Sequence, residues 1–198
     1  AQVGVDYSYD LTEQFGISSL TDSDRNLAAL GLGGMLEGAS TLEMASAYST
    51  FVNGGVHNEY SCYTKVTTRN GELILEPTIE QTKVLDPGVA WIMTDVLKTV
   101  VSEGIGYPAA IPGVSVGGKT GTTDNSGGKP HSIFFGYAPR ENPQIAIAVI
   151  IENAGFGSMW ACPIATLCIE QYLTGEITRT DLFNRMKTTV LNTDVKKF

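Results

Sequence analysis

The run Gln144-Ile-Ala-Ile-Ala-Val-Ile-Ile151 constrains the fold of this chain more than any other stretch. After Gln144 every residue is apolar, at odd and even positions alike, so a strand built from it is apolar on both faces. A strand tolerates that only when helices cover both sides of its sheet. Two further strand-like segments precede it, Val114–Thr122 and Ser132-Ile-Phe-Phe-Gly-Tyr137, the second reached across Ala138-Pro-Arg-Glu-Asn-Pro143. Successive strands joined by short links pair antiparallel. Pro163 opens a long helix in which Ile164, Leu167, Cys168 and Tyr172 are spaced to cover the sheet, and Gly175 stops it. Ile147 and Val149 are expected under helices, and a short helix is possible near Asp181–Met186. The expected class is α+β, an antiparallel sheet flanked by helices.

The first half of the chain supplies elements that support others. A short helix is expected around Asp10-Leu-Thr-Glu-Gln-Phe15, stopped by Gly16, followed by a loop with Asp22-Ser-Asp24 and the glycine-rich Gly31-Leu-Gly-Gly34. Ser40-Thr-Leu-Glu43 is a capping box, in which the serine accepts from the backbone N–H three residues on and the glutamate reaches back. The helix it opens places Leu42, Ala45, Tyr48 and Val52 on one face and ends at Asn53-Gly54-Gly55. Tyr60–Thr68 and Leu73–Leu75 flank Asn70-Gly71, a strong hairpin signal. Asp86-Pro87 then marks an N-cap with proline at the first helical position, and Val89, Ile92, Met93, Val96 and Val100 recur at helical spacing. A flexible, proline-marked connection, Gly104–Gly113, leads to the Val114 strand.

Composition narrows the possible functions. The 198 residues suffice for a substantial core, and 42% hydrophobic with 17% charged residues excludes disorder as the main state. A net charge of −8 disfavours nucleic acid as a partner. No apolar run approaches the length that crosses a membrane, so any anchor is expected outside this chain. Cys62, Cys162 and Cys168 form an odd set without C-x-x-C spacing, which argues against a metal site and against a disulfide framework. Cys162 and Cys168 read as buried, inert thiols. His57 and His131 read as structural.

Chemistry concentrates in Val114-Ser-Val-Gly-Gly-Lys-Thr-Gly-Thr122. Such a strand offers a cation, two hydroxyls and backbone N–H groups, and its glycines let a ligand approach closely. It suits an anionic, extended, peptide-like ligand that anneals as an extra strand, with Lys119 and the Thr120 or Thr122 hydroxyl taking a carboxylate. N–H groups beside Gly121 can face a developing oxyanion. A rival lies in the same letters, because Gly113-x-x-x-x-Gly118-Lys119-Thr120 satisfies the phosphate-cradling pattern. That pattern needs a helix starting after the lysine. Gly121–Pro130 carries three glycines, a proline and no apolar residue at helical spacing, so nucleotide binding is disfavoured.

The same residues resemble the penicillin-binding, serine-acyl-enzyme D,D-transpeptidases that cross-link peptidoglycan. Gly38–Gly55 is similar to the family's helix with its glycine exit, Val84–Val100 to the helix before the active-site strand, and Gly118-Lys-Thr-Gly-Thr-Thr123 to its third active-site motif. His131-Ser-Ile-Phe-Phe-Gly-Tyr-Ala-Pro139 and Ile145–Asn153 resemble the two following strands. Residues 1 to about 118 look most like bifunctional glycosyltransferase-transpeptidases. Lys119 to about Met186, including Ile151-Glu-Asn-Ala-Gly-Phe-Gly157 and Trp160-Ala-Cys-Pro-Ile-Ala165, look more like monofunctional elongation-type enzymes. The resemblance implies part of a serine transpeptidase or β-lactamase-like fold acting on D-Ala-D-Ala stem peptides and bound by β-lactams, in an extracytoplasmic envelope location. It implies no cofactor. Lys119 would supply positive potential and join the proton relay, Thr120 and Thr122 would hold the carboxylate beside Gly121, and the Thr122 N–H would form half of the oxyanion hole.

Two of the family's three motifs are missing. A nucleophilic serine with its lysine base needs S-x-x-K, and the opposite wall of the cleft needs S-x-N. The lone S-x-x-K, Ser126-Gly-Gly-Lys129, follows the strand where the family places its serine well before it, and S-x-N does not occur. Thr123-Asp-Asn125 lies too near Lys119 to form an opposite wall. Residues 1–198 are therefore expected to be the C-terminal part of one transpeptidase domain, completed by an upstream segment or second chain. A non-catalytic recognition or scaffold module of the same fold is the alternative.

Overall fold

The computed structural model describes residues 3–123 and 128–191. Three antiparallel strands, β5 (Gly117–Thr123), β6 (His131–Ala138) and β7 (Ile145–Ile151), form a sheet in the order β5-β6-β7. Its register is continuous, with Thr122 opposite Ser132, Lys119 opposite Phe135 and Phe134 opposite Val149. β5 starts at Gly117 rather than Val114, because Val114 closes a tight bridge with Ile111 before the strand straightens.

Helices lie on both faces. On one, α5 (Ala161–Thr174) buries Ala161, Cys162, Ala165 and Ile169 against Phe134 and Ala138. On the other pack α3 (Thr41–Val52) and α4 (Pro87–Ser102): Tyr48 stacks on Phe135 with ring centroids 5.7 Å or less from both Phe135 and Phe51. The two-sided cover expected from Ile145–Ile151 is present. Ile147 and Val149 nevertheless remain half-buried, because β7 is an edge of the sheet and no strand pairs with its outer side among the described residues.

Three helix faces differ from those suggested by periodicity. In α3, Leu42 is 52% exposed, while Glu43, Ser46, Ala47 and Thr50 are buried. Those polar groups can turn inward because each finds partners. Glu43 accepts from the backbone N–H and hydroxyl of Ser40, completing the capping box, and from both groups of Ser18. Ser46 Oγ lies 3.0 Å from Nε2 of buried His57, a structural histidine packed on Gly16. In α4 the inward residues are Ala90, Thr94, Leu97 and Val101, whereas Val89, Ile92 and Val96 stay about half exposed. Asp86 makes no side-chain cap bond there, although Pro87 does occupy the first turn.

In α5, Ile164, Cys168 and Tyr172 turn from the sheet and line an apolar groove with Phe183 and Met186 of α6 (Thr180–Thr188). Cys168 is thus exposed, not buried; Cys162 alone is the enclosed thiol. Small residues choose the sheet-facing side: Ala161 and Ala165 bring the helix close to β6, and larger side chains there would hold it off.

The remaining elements are short. α1 (Val5–Gln14) begins earlier than expected, and α2 (Leu27–Leu32) forms where a glycine-rich loop was anticipated, capped by Asn26 and closed by Gly33 in the left-handed region. β1 (Val56–Asn58) pairs with β4 (Gln81–Lys83), and between them β2 (Val66–Thr67) and β3 (Leu73–Leu75) make the hairpin around Gly71. The Gly104–Gly113 connection is no loose tether: a 3-10 turn at Tyr107–Ala109 carries Ala109 and Ile111 into the main core.

Candidate active site

β5 places the sequence's candidate residues at the edge of the sheet. Gly117 and Gly118 let it lie directly on aromatic rings of β6: a Cβ on Gly117 would stand 2.3 Å from the Tyr137 phenol, and one on Gly118 2.8 Å from the Phe134 ring. Only glycine fits at either position without displacing β5. Beyond them the side chains alternate. Thr120 and Thr122 share a face with Phe134 and Ser132, toward α5; Lys119 and Gly121 share the face of Phe135 and Ile133. Thr120 is buried, whereas Lys119, Thr122 and Thr123 are exposed.

Contacts at Gly121 and Lys119 show which backbone groups face outward. Ile133 O, Gly121 O and Gly121 N lie 2.3, 2.6 and 3.3 Å from the point where a Cβ on Gly157 would stand, which marks Gly121 and Ile133 as a mutually hydrogen-bonded pair. Alternation along the ladder then turns the N–H and C=O of Thr120 and Thr122 toward the open edge. In agreement, the Lys119 ammonium donates to Thr120 O at 2.6 Å. The edge thus offers outward N–H groups, an exposed hydroxyl and a cation that already reaches round to it, which suits an extended anionic ligand. Tyr48 and Tyr137 stand behind it under the α3 and α4 face; burial pushes the Tyr48 phenol up to about 12 and Tyr137 higher still, so both are neutral fillers.

Lys119 and Thr120 sit in the middle of a strand that runs on to Thr123 and do not open a helix, so the phosphate-cradling alternative fails on geometry. Ser126 lies outside the described residues. A family model described as the penicillin-binding protein transpeptidase domain matches residues 2–169. The chain belongs to that family.

Its relatives include penicillin-binding protein 1A of Clostridium novyi, 35% identical over 172 residues, which cover 84% of this chain and 19% of the relative. Penicillin-binding protein 1A/1B of Bacillus subtilis is 34% identical over 170 residues, covering 80% of this chain and 18% of the relative. Among solved structures, the D,D-transpeptidase domain of a peptidoglycan glycosyltransferase from Eggerthella lenta superposes with a TM-score of 0.72 at 28% identity, over 87% of this chain and 49% of that one. Penicillin-binding protein A of Mycobacterium tuberculosis, as its ceftriaxone acyl-enzyme, shares the fold with a TM-score of 0.71 at 24% identity. It is matched over 87% of this chain and 45% of that one. The chain therefore spans under a fifth of these curated relatives and about half of these solved chains.

Sequence reasoning likened Ile151–Gly157 and Trp160–Ala165 to the family but gave them no part in the site; residues 152–160 cross the sheet at the same end as Lys119–Thr122. His131 Nδ1 accepts the Asn153 N–H at 3.0 Å, and the fully buried Ser132 hydroxyl bonds to both Phe156 and Ala161. The available signal was Ser132 itself. Strand alternation puts it on the covered face with Phe134, where an unpartnered hydroxyl would be costly.

Proposed function

We propose that this chain is the C-terminal part of a peptidoglycan D,D-transpeptidase domain, and that it supplies the strand on which stem peptide or β-lactam is bound. The observation that carries this is the open outer edge of Gly117–Thr123, with Lys119 and Thr122 upon it, inside the region matched by the family. In this role Lys119 and the exposed Thr122 hydroxyl hold the ligand carboxylate beside Gly121, whereas Thr120, expected from the sequence to share it, is buried on the α5 face. The Thr122 N–H stabilises the oxyanion as an acyl-serine forms and collapses. The serine and its lysine base come from a segment carrying S-x-x-K, upstream in the same protein or on a second chain, and S-x-N comes with it. Two features support such a segment: the side of β7 that pairs with no strand among the described residues, apolar on both faces, and the half-exposed Val89, Ile92 and Val96 of α4. A strand and a helix added there would cover them. Cross-linking stem peptides places the reaction outside the cytoplasm, in the bacterial envelope. Among the described residues no helix is long and apolar enough to cross a membrane.

A fluorescent penicillin tests this. The chain alone should take no covalent label, since it lacks the activated serine; the complete protein should be labelled at the serine of S-x-x-K. Labelling of the chain alone at Ser126 would refute the assignment.

A further inference from the structure

One hydroxyl behind the sheet fixes the segment that backs β5. Ser132 Oγ, fully buried, donates to Phe156 O at 3.0 Å and accepts the N–H of Ala161, the first residue of α5, also at 3.0 Å. Gly157 lies between those two points, and its carbonyl accepts the Cys162 N–H at 2.9 Å. Two more bonds tie the same segment to the start of β6: Gly155 N–H to Pro130 O at 2.8 Å, and Asn153 N–H to His131 Nδ1. Gly157 in turn rests on backbone alone, where an added Cβ would meet Ile133 O at 2.3 Å and Gly121 O at 2.6 Å. Ser132 is opposite Thr122 in the ladder and Ile133 is opposite Gly121.

An edge strand is held by its single neighbour and by whatever packs on its faces. At Gly121 the α5-side packing is the Gly157 backbone, and the position of that backbone is set by a hydroxyl with both donor and acceptor engaged. We infer that Ser132 is a positioning residue for acyl transfer: through Gly157 it holds Gly121 and the outward Thr122 N–H where the oxyanion forms. This rests on the function proposed above. An oxyanion donor displaced by a fraction of an ångström still binds a carboxylate nearby but stabilises the transition state less, so the effect falls on the chemical step.

The test uses the complete protein, with its S-x-x-K segment, and stopped-flow acylation by a fluorescent penicillin. That experiment separates the dissociation constant of the reversible complex from the acylation rate constant. Ser132→Ala and Gly157→Ala should each lower the acylation rate constant by roughly 10- to 100-fold while leaving the dissociation constant within about threefold. Should Ser132→Ala not fold, Ser132→Cys, of similar shape with a weaker donor and acceptor, is judged by the same criterion. A lowered melting temperature with an unchanged acylation rate constant in the folded protein overturns the inference, as does a change confined to the dissociation constant. Lys119→Ala is the control: if it acylates normally, the assignment of the strand itself fails. If Lys119→Ala is slow and the Ser132 variants are not, the positioning role alone is lost.

Discussion

The phenol of Tyr137 donates to the carbonyl oxygen of Thr94 at 2.9 Å, joining the middle strand of the sheet to the interior of α4. The ring that reaches across is the same one on which Gly117 lies. One side chain therefore sets both the spacing of α4 from the sheet and the entry of β5. Tyr137→Phe keeps the ring and removes the bond, and should lower stability by about 1–2 kcal/mol in urea unfolding. Gly117→Ala should cost more, because its Cβ meets the ring at 2.3 Å and the strand must shift. Equal and negligible effects for both would show that this contact is not maintained in solution.

Glu43 makes the chain sensitive to acid. Burial alone would raise its pKa, but hydrogen bonds from the backbone and hydroxyls of Ser40 and Ser18 outweigh that and hold it at about 2, against an ordinary 4.5. A carboxyl depressed by folding stabilises fully above its unfolded pKa and loses that contribution as pH falls toward its folded one. Glu43 should thus contribute up to about 3 kcal/mol at neutral pH, declining from about pH 5 to pH 2. Denaturant midpoints across that window should fall more steeply for the native chain than for Glu43→Gln; parallel slopes would contradict the assignment.

The three cysteines should separate by reactivity. Cys162 is buried in the α5 core and burial pushes its thiol up to about 12, so it should resist maleimide until the chain unfolds. Cys62 and Cys168 are exposed and should label in the folded state. Mass spectrometry of the native protein should find at most two adducts, with the third appearing in denaturant.

Lys119→Ala in the complete protein should lower penicillin acylation by roughly a hundredfold or more, the scale for removing a preorganised electrostatic group from a reacting centre. Acylation at the unaltered rate would place catalysis away from this strand.

Phe134→Ala should destabilise by about 3–5 kcal/mol, since the ring is fully enclosed between Gly118 and α5. Ile147→Ala, at a half-buried edge position, should cost less in this chain. It should cost more in the complete protein, where the proposed upstream strand would cover β7.

The strands, the capping box at Ser40, the hairpin at Gly71 and the Lys119–Thr122 motif were legible in the sequence because each depends on neighbours a few residues away. Alternation, turn chemistry and capping are local, and the family resemblance pointed to the activity proposed for such a strand. Which side of each helix faces inward was not legible. Leu42, Ile92 and Tyr172 lie on the apolar stripes of their helices yet are mostly exposed, while Glu43, Thr94 and Thr166 are buried. Glu43 and Thr166 turned inward to Ser18 and to the Arg179 guanidinium, partners that folding brings from elsewhere in the chain, while the Thr94 hydroxyl is satisfied by the Trp91 carbonyl of its own helix. The same holds at the site. Periodicity could place Ser132 on the covered face, but only the tertiary structure set residues 156 and 161 on either side of its hydroxyl and Gly157 against Gly121. Hydrogen-bond partners that lie 24 and 29 residues away leave no periodic trace.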